Sequence, residues 1–135
     1  MCKTVLIDTS VLMYIVEKRL NPIEVLFPAE KPICHVVIPD VVHNELQKLS
    51  ADKASKKGVI AASAIILVEQ ILKTNPNLFS YIKIAGTHED IDSVLIGEAR
   101  LRGYILATAD REMKKRAEKM GVEVLFLRRA KGRLI

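Results

Sequence analysis

Val5-Leu6-Ile7-Asp8-Thr9-Ser10 is a short apolar run that ends in one acid and two hydroxyls. An apolar run of strand length that empties into turn-forming polar residues reads as a buried strand, here over residues 3–7, with Asp8 at its carboxyl end. In open α/β sheets ligands bind at that edge, because the strand ends and the helix starts leave a crevice there. A lone acid in such a place is also a common helix cap. What decides between the two is whether further acids converge on the same edge.

Outward from this stretch the chain alternates strand and helix signals. Thr9 or Ser10 can cap a helix whose apolar positions Leu12, Met13, Ile15 and Val16 face inward, and Asn21-Pro22 stops it. One short helix is expected over residues 23–27. Residues 33–38 form a second strand, and Pro39-Asp40 opens a helix to about Ser50, since proline's fixed φ suits a first turn. Val41, Val42, Leu46 and Leu49 make its apolar stripe, which leaves Glu45 about one turn in and near the edge that carries Asp8. After the charged connection 52–57, an Ala-rich helix over residues 58–73 has a nearly unbroken apolar face that suits burial.

Residues 79–84 alternate as a third strand, Ala85-Gly86-Thr87-His88 is a turn, and a loop carries Glu89, Asp90 and Asp92. A helix over residues 91–102 stops at Gly103. The fourth strand, 104–107, runs into Thr108-Ala109-Asp110 and so repeats the opening design of strand, hydroxyl and acid. A last helix over residues 111–120 stops at Gly121, and residues 122–127 close as a fifth strand. This alternation predicts an α/β fold with a parallel sheet and helices on both faces, because right-handed crossovers bring every strand's carboxyl end to one edge. Residues 1–130 form one domain and 131–135 a short basic tail.

Composition narrows the class. Half the residues are apolar, tryptophan is absent and aromatics are only 4%, so Val, Ile, Leu and Ala must fill the core, as in parallel sheets covered by helices. The start of the chain lacks the pattern of a secretory leader, and the most apolar tract, 59–68, is too short to cross a bilayer of about 30 Å. A cytoplasmic protein away from membranes is expected. Cys2 and Cys34 have no metal-ligand spacing; pairing would need neighbouring strands, and a reducing compartment opposes it, so each is read as a small buried thiol. The formal charge is +5. From residue 111 onward nine bases (Arg111, Lys114, Lys115, Arg116, Lys119, Arg128, Arg129, Lys131, Arg133) face three acids (Glu112, Glu118, Glu123). Such a patch suits a polyanion, nucleic acid above all, although a solvated basic helix has the same composition.

Asp8, Glu45, Asp92 and Asp110 come from four separate stretches and all fall at the carboxyl edge, with Asp90 close behind. Singly, Asp8, Asp90, Asp92 and Asp110 are each candidate helix caps, and Glu45 is a candidate solvated helix residue. Jointly they repel: carboxylates about 5 Å apart cost roughly 3 kcal/mol per pair at an effective dielectric near 20. A hard divalent cation compensates. An all-oxygen set without histidine or thiolate matches Mg²⁺ or Mn²⁺ and disfavours zinc. A metal so held activates water and shields a phosphodiester, which is hydrolytic nuclease chemistry. Thr9, Ser10 and Thr108 are the candidate hydroxyls that hold the carboxylates in place.

Leu6-Ile7-Asp8-Thr9-Ser10-Val11-Leu12, the helical Glu45 after Pro39-Asp40, the Asp90-x-Asp92 pair and Thr108-Ala109-Asp110 together resemble the PIN domain of metal-dependent ribonucleases, over nearly the whole chain. The resemblance implies a five-stranded parallel sheet of order 3-2-1-4-5, one or two Mg²⁺ or Mn²⁺ ions, and endonucleolytic cleavage of single-stranded RNA. It implies Asp8, Glu45, Asp92 and Asp110 as catalytic and metal-holding acids. Thr108 or Ser10 is the supporting hydroxyl, and Asp92 matches the inner ligand better than Asp90. Arg111, Lys114, Lys115, Arg116, Arg128 and Arg129 are the RNA-binding candidates.

Gly86-Thr87, Ala107-Thr108-Ala109-Asp110-Arg111 and the basic ending look like the small PIN proteins of ribosomal RNA processing, whose partners would be pre-rRNA and ribosome-assembly proteins. VapC-type toxins, which pair with an antitoxin, often carry an aromatic shortly after the fourth acid, where this chain has Met113 and Lys114. Homodimerisation is also implied. Two rivals stand outside the nuclease class. One is an RNA-binding scaffold that does not cut. The other is a receiver-like phosphoacceptor, which needs two acids after its first strand, whereas this chain has Asp8 followed by Thr9.

Overall fold

The computed structural model describes residues 2–84, 90–128 and 133–134. Its elements run β1 (Lys3–Ile7), α1 (Thr9–Glu17), α2 (Pro22–Leu26), β2 (Ile33–Pro39), α3 (Asp40–Ser50), α4 (Lys56–Thr74), β3 (Phe79–Ile82), α5 (Ile91–Arg102), β4 (Ile105–Thr108), α6 (Arg111–Lys119), β5 (Val124–Arg128) and β6 (Arg133–Leu134). The sheet order is β3-β2-β1-β4-β5-β6. The first five strands are parallel in the order 3-2-1-4-5, as the resemblance implies. β6 adds an antiparallel edge, Leu127 opposite Leu134, where the sequence reading has a tail. The expected turn 85–88, Glu89 and the basic residues Arg129 and Lys131 lie outside the described residues, as do the side chains of Arg128 and Arg133.

β1 is the middle of the sheet because both its neighbours arrive by crossovers, β2 after α1 and α2, β4 after the rest of the chain. Val5, Leu6 and Ile7 are fully buried, as are Val36, Ile38, Leu106 and Ala107 on the flanking strands. A strand covered on both faces needs apolar residues at every position, which is why β1 reads as a continuous run and not as an alternation. β3 ends at Ile82, short of the expected 84, where the Ile84 amide donates to the Asp40 carboxylate at 3.0 Å. That bond ties the strand's exit to the start of α3. Gly103 ends α5 with φ 71°, the left-handed conformation that glycine adopts without a side-chain clash.

α4 departs from the expectation of burial on a nearly unbroken face. Gly58, Ala61, Ala64, Val68 and Ile71 form one buried stripe against α1 and α3, while Val59 and Ile66 are 55% and 56% exposed. The neighbouring helices cover one side of α4 only, and small residues on that side bring the backbones close. A Cβ at Gly58 would overlap the Asp52 carbonyl, whose carbon lies 2.8 Å from that position. Among the described residues no helix is long and apolar enough to cross a membrane.

The cysteine reading is overturned. Lys3 pairs with Ile33 and Thr4 with His35, so the register slips by one and Cys34 is the extra residue of a bulge. Beside it lies Cys2, with the Cα atoms 5.4 Å apart, and the two form a disulfide across 32 residues. Both are exposed, at the amino edge of the sheet. Closing a loop of that length removes entropy from the unfolded chain worth about 3–4 kcal/mol. Cys2→Ser is therefore expected to lower the thermal midpoint of the oxidised protein by roughly 10 °C and to leave that of the reduced protein unchanged. Calorimetry with and without reductant checks this.

Candidate active site

The carboxyl ends of β1 and β4 are side by side: Ile7 is the partner of Ala107, and the Asp8 amide donates to the Ala107 carbonyl at 3.0 Å. Asp8 stands at the N-cap position of α1, yet its side chain makes no capping bond. Instead Oδ2 accepts from Ser10 Oγ at 2.8 Å and from Thr108 Oγ1 at 2.7 Å. The two hydroxyls lie 3.3 Å apart. Ser10 Oγ also accepts from the Ala109 amide at 2.9 Å, and Thr108 Oγ1 from the Asp110 amide at 3.1 Å. This network fixes the second acid-bearing turn to the first. Asp8 is only 6% exposed. Burial pushes its carboxyl above the usual range, the Thr108 and Ser10 hydroxyls pull it back, and Asp92 and Glu45 push it up again.

The other acids reach the same cleft from different elements. Asp92, in the first turn of α5, is raised mainly by desolvation; Arg116 opposes this, and Asp90, Asp110 and Glu45 add to it. Glu45 projects from the middle of α3 and is half-buried. Asp110 does two things: Oδ1 caps α6 by accepting from the Glu112 amide at 2.8 Å, and the residue lines the cleft. Asp90 is exposed and held below its usual pKa by the Ser93 hydroxyl and by Arg116. It does not line the cleft.

The cleft encloses about 1400 Å³, and Asp8, Glu45, Asp92 and Asp110 all line it. Around them stand Arg111, Lys114 and Lys115 from α6, as expected, and Lys56 and Lys57 from the first turn of α4, which the sequence reading left within a charged connection. Adjacent lysines at the start of a helix were the visible signal. Arg116 takes a different place from the expected RNA contact. It bridges Asp90 at 3.3 Å and Asp92 at 3.6 Å and donates to Ser93 Oγ at 2.8 Å. The third expected hydroxyl, Thr9, does not touch Asp8: its Oγ1 is buried without a hydrogen-bond partner among the described residues, and the residue lines the cleft.

The donor chemistry of this cleft suits a hard cation. Five carboxylates line it, the four expected acids and Glu17, which pairs with Lys56 at 3.5 Å; with an unpartnered buried hydroxyl and no histidine or thiolate they form an oxygen-only set. Among the described residues no three acids, histidines or cysteines stand close enough together to hold an ion as they are.

Residues 5–130 match the family model described as PIN like domain. The chain is 30% identical over 125 residues to ribonuclease VapC9 of Archaeoglobus fulgidus, covering 93% of this chain and 83% of that protein. The PIN domain endonuclease Utp24 has the same fold, with a TM-score of 0.71 at 22% identity over 97% of this chain and 90% of that one. So does VapBC2 of Rickettsia felis, solved with a DNA fragment from its promoter, with a TM-score of 0.60 at 16% identity over 91% and 98%.

A carboxyl whose pKa is raised by folding stabilises the native state fully below the unfolded value, near 3.8, and loses that contribution as the pH rises through the folded value. In chelator, Asp8→Asn is therefore expected to melt above the wild type at neutral pH, with the gap closing at pH 3. A capping role for Asp8 would give the opposite sign at pH 7. Thr108→Val removes one of the two donors to a buried carboxylate and is expected to cost about 2 kcal/mol at neutral pH and less in acid. Thermal melts across pH check both.

Proposed function

The chain belongs to the PIN-like domain family, and on that footing we propose that it is a divalent-metal-dependent endoribonuclease that hydrolyses phosphodiester bonds of single-stranded RNA. The observation that carries this reading is the treatment of Asp8. A buried carboxylate at a helix start is held by two hydroxyls, one from two residues on and one from 100 residues on, instead of capping the helix, and it shares an open cleft with Glu45, Asp92 and Asp110. Such an arrangement destabilises the empty fold, and so points to a cationic ligand.

Asp8, Asp92 and Asp110 would hold Mg²⁺ or Mn²⁺, with Glu45 beside them. A bound ion supplies charge neutralisation to the phosphodiester and acidity to the attacking water. Ser10 and Thr108 keep Asp8 Oδ2 in one orientation. The α6 amides anchor Asp110 through Oδ1 and so fix the carboxylate that would help hold the ion. Glu45, on the same cleft, would accept the proton that the attacking water releases. Lys56, Lys57, Arg111, Lys114 and Lys115 ring the acids and offset the repulsion between an acidic site and a polyanion.

The role we favour is ribosomal RNA processing in the cytoplasm, as a homodimer or with an assembly protein. A toxin ribonuclease paired with an antitoxin is the second reading, favoured by the 30% identity to the Archaeoglobus ribonuclease. Labelled structured and unstructured RNAs, each incubated with Mg²⁺, Mn²⁺ or chelator, test the proposal. Cleavage is expected only with metal. Asp110→Asn should reduce it by more than the roughly 10–100-fold that loss of a supporting group costs. Binding without cutting in every metal would leave the scaffold reading. Preference for a structured ribosomal-type RNA over the unstructured one separates processing from toxin activity.

A further inference from the structure

One wall of the cleft is a phenyl ring that neither the fold nor the acid chemistry requires there. Phe126 on β5 is the lateral partner of Thr108 on β4, and Thr108 bonds Asp8 at the end of β1. Neighbouring strands are about 4.8 Å apart, so two strand spacings, about 10 Å, separate Phe126 from Asp8 along the sheet edge. Its neighbours Leu125 and Leu127 are fully buried, whereas Phe126 is partly exposed and lines the cleft. The Lys114 ammonium sits 5.2 Å from the ring centroid.

The other aromatics are placed differently. Phe27 and Phe79 pack edge to face, Tyr14 borders the cleft but is 3% exposed, and Tyr81, which is exposed, meets His43 edge to face away from the cleft. Phe126 and Tyr104 remain partly open, and of these two only Phe126 faces the acids. A partly exposed ring next to charged groups forgoes part of the stabilisation that burial would bring, and a flat ligand in the cleft can restore it.

We infer that Phe126 is a stacking platform for a nucleobase of the RNA strand, taking the nucleotide next to the one whose phosphate lies at Asp8, with Lys114 swinging from the ring to that nucleotide's phosphate. The inference rests on the reading of the cleft as an RNA site and adds the feature that selects single strands. Every base has a face to stack, so the contact is indifferent to sequence. A base held in a duplex is already stacked on both sides and must leave its pair to reach the ring. Lys114 has the flexible stem that the exchange needs.

The chain has no tryptophan, so Phe126→Trp introduces a single reporter. Titration with a uridine oligonucleotide, in chelator and at fixed salt, is expected to quench that tryptophan's emission, and an oligonucleotide of the same length without bases is expected to leave it unchanged. By fluorescence anisotropy the wild type should bind the base-bearing strand on the order of ten- to a hundredfold more tightly than the abasic one. Phe126→Leu, which keeps an apolar side chain on β5, should bind both strands at the wild type's abasic level with an unaltered melt.

Equal binding of both strands by the wild type, unchanged affinity in Phe126→Leu, or unquenched emission would overturn the inference. Metal-dependent cleavage that is indifferent to Phe126→Leu would leave the nuclease standing without the platform. Base-dependent quenching without cleavage in any metal would leave the platform and remove the nuclease. Failure to bind either strand would remove both.

Discussion

A buried carboxylate is the constraint on which the rest depends. Taking Asp8 out of water is unfavourable unless hydrogen bonds replace the lost hydration, and two hydroxyls supply them. One comes from two residues on, the other from 100 residues on, so the bonds close only when β1 and β4 are neighbours and in register. Ser10 and Thr108 then go on to accept from the Ala109 and Asp110 amides. The position of the second acid thus follows from the satisfaction of the first. A network in which each member has partners is stiff, which a site that must hold charged groups close together requires.

Charge is distributed in two shells. The acids occupy the floor of the cleft, and lysines and arginines from α4 and α6 stand at its walls. A net charge of +5 draws a polyanion toward the molecule as a whole, while the acids of the floor oppose it locally. Arg116 belongs to neither shell in a simple way. It sits against Asp90 and Asp92 and partly neutralises the α5 end of the acid cluster, which lets Asp92 remain beside the other acids while half-buried.

Much of this was visible in the chain. The apolar run before Asp8 and its echo before Asp110 located two strand ends, and the helical period located Glu45 and Asp92, because one element each sufficed to place them. Three features were not visible. The disulfide depends on β1 and β2 being adjacent and on a one-residue bulge at Cys34, neither of which leaves a mark in two distant cysteines. The exposed face of α4 depends on how many helices cover it. Arg116 carries the same charge as Lys114 and Lys115 and differs from them only in which side of α6 meets α5.

By itself the sequence determined the alternation of strands and helices, the burial of β1 and the oxygen-only character of the acid set, because these follow from local period and side-chain chemistry. Tertiary structure decided whether each acid caps a helix, faces the cleft, or, as Asp110, does both. An acid that caps a helix and an acid that only faces a cleft look alike in sequence. They diverge only when a partner from elsewhere competes for the carboxylate, as Thr108 does for Asp8 and as nothing among the described residues does for Asp110 Oδ1. It also decided that Phe126, one strand beyond Thr108, stands at the edge of the acid cluster, since lateral neighbours in a parallel sheet are set by crossovers and not by distance along the chain.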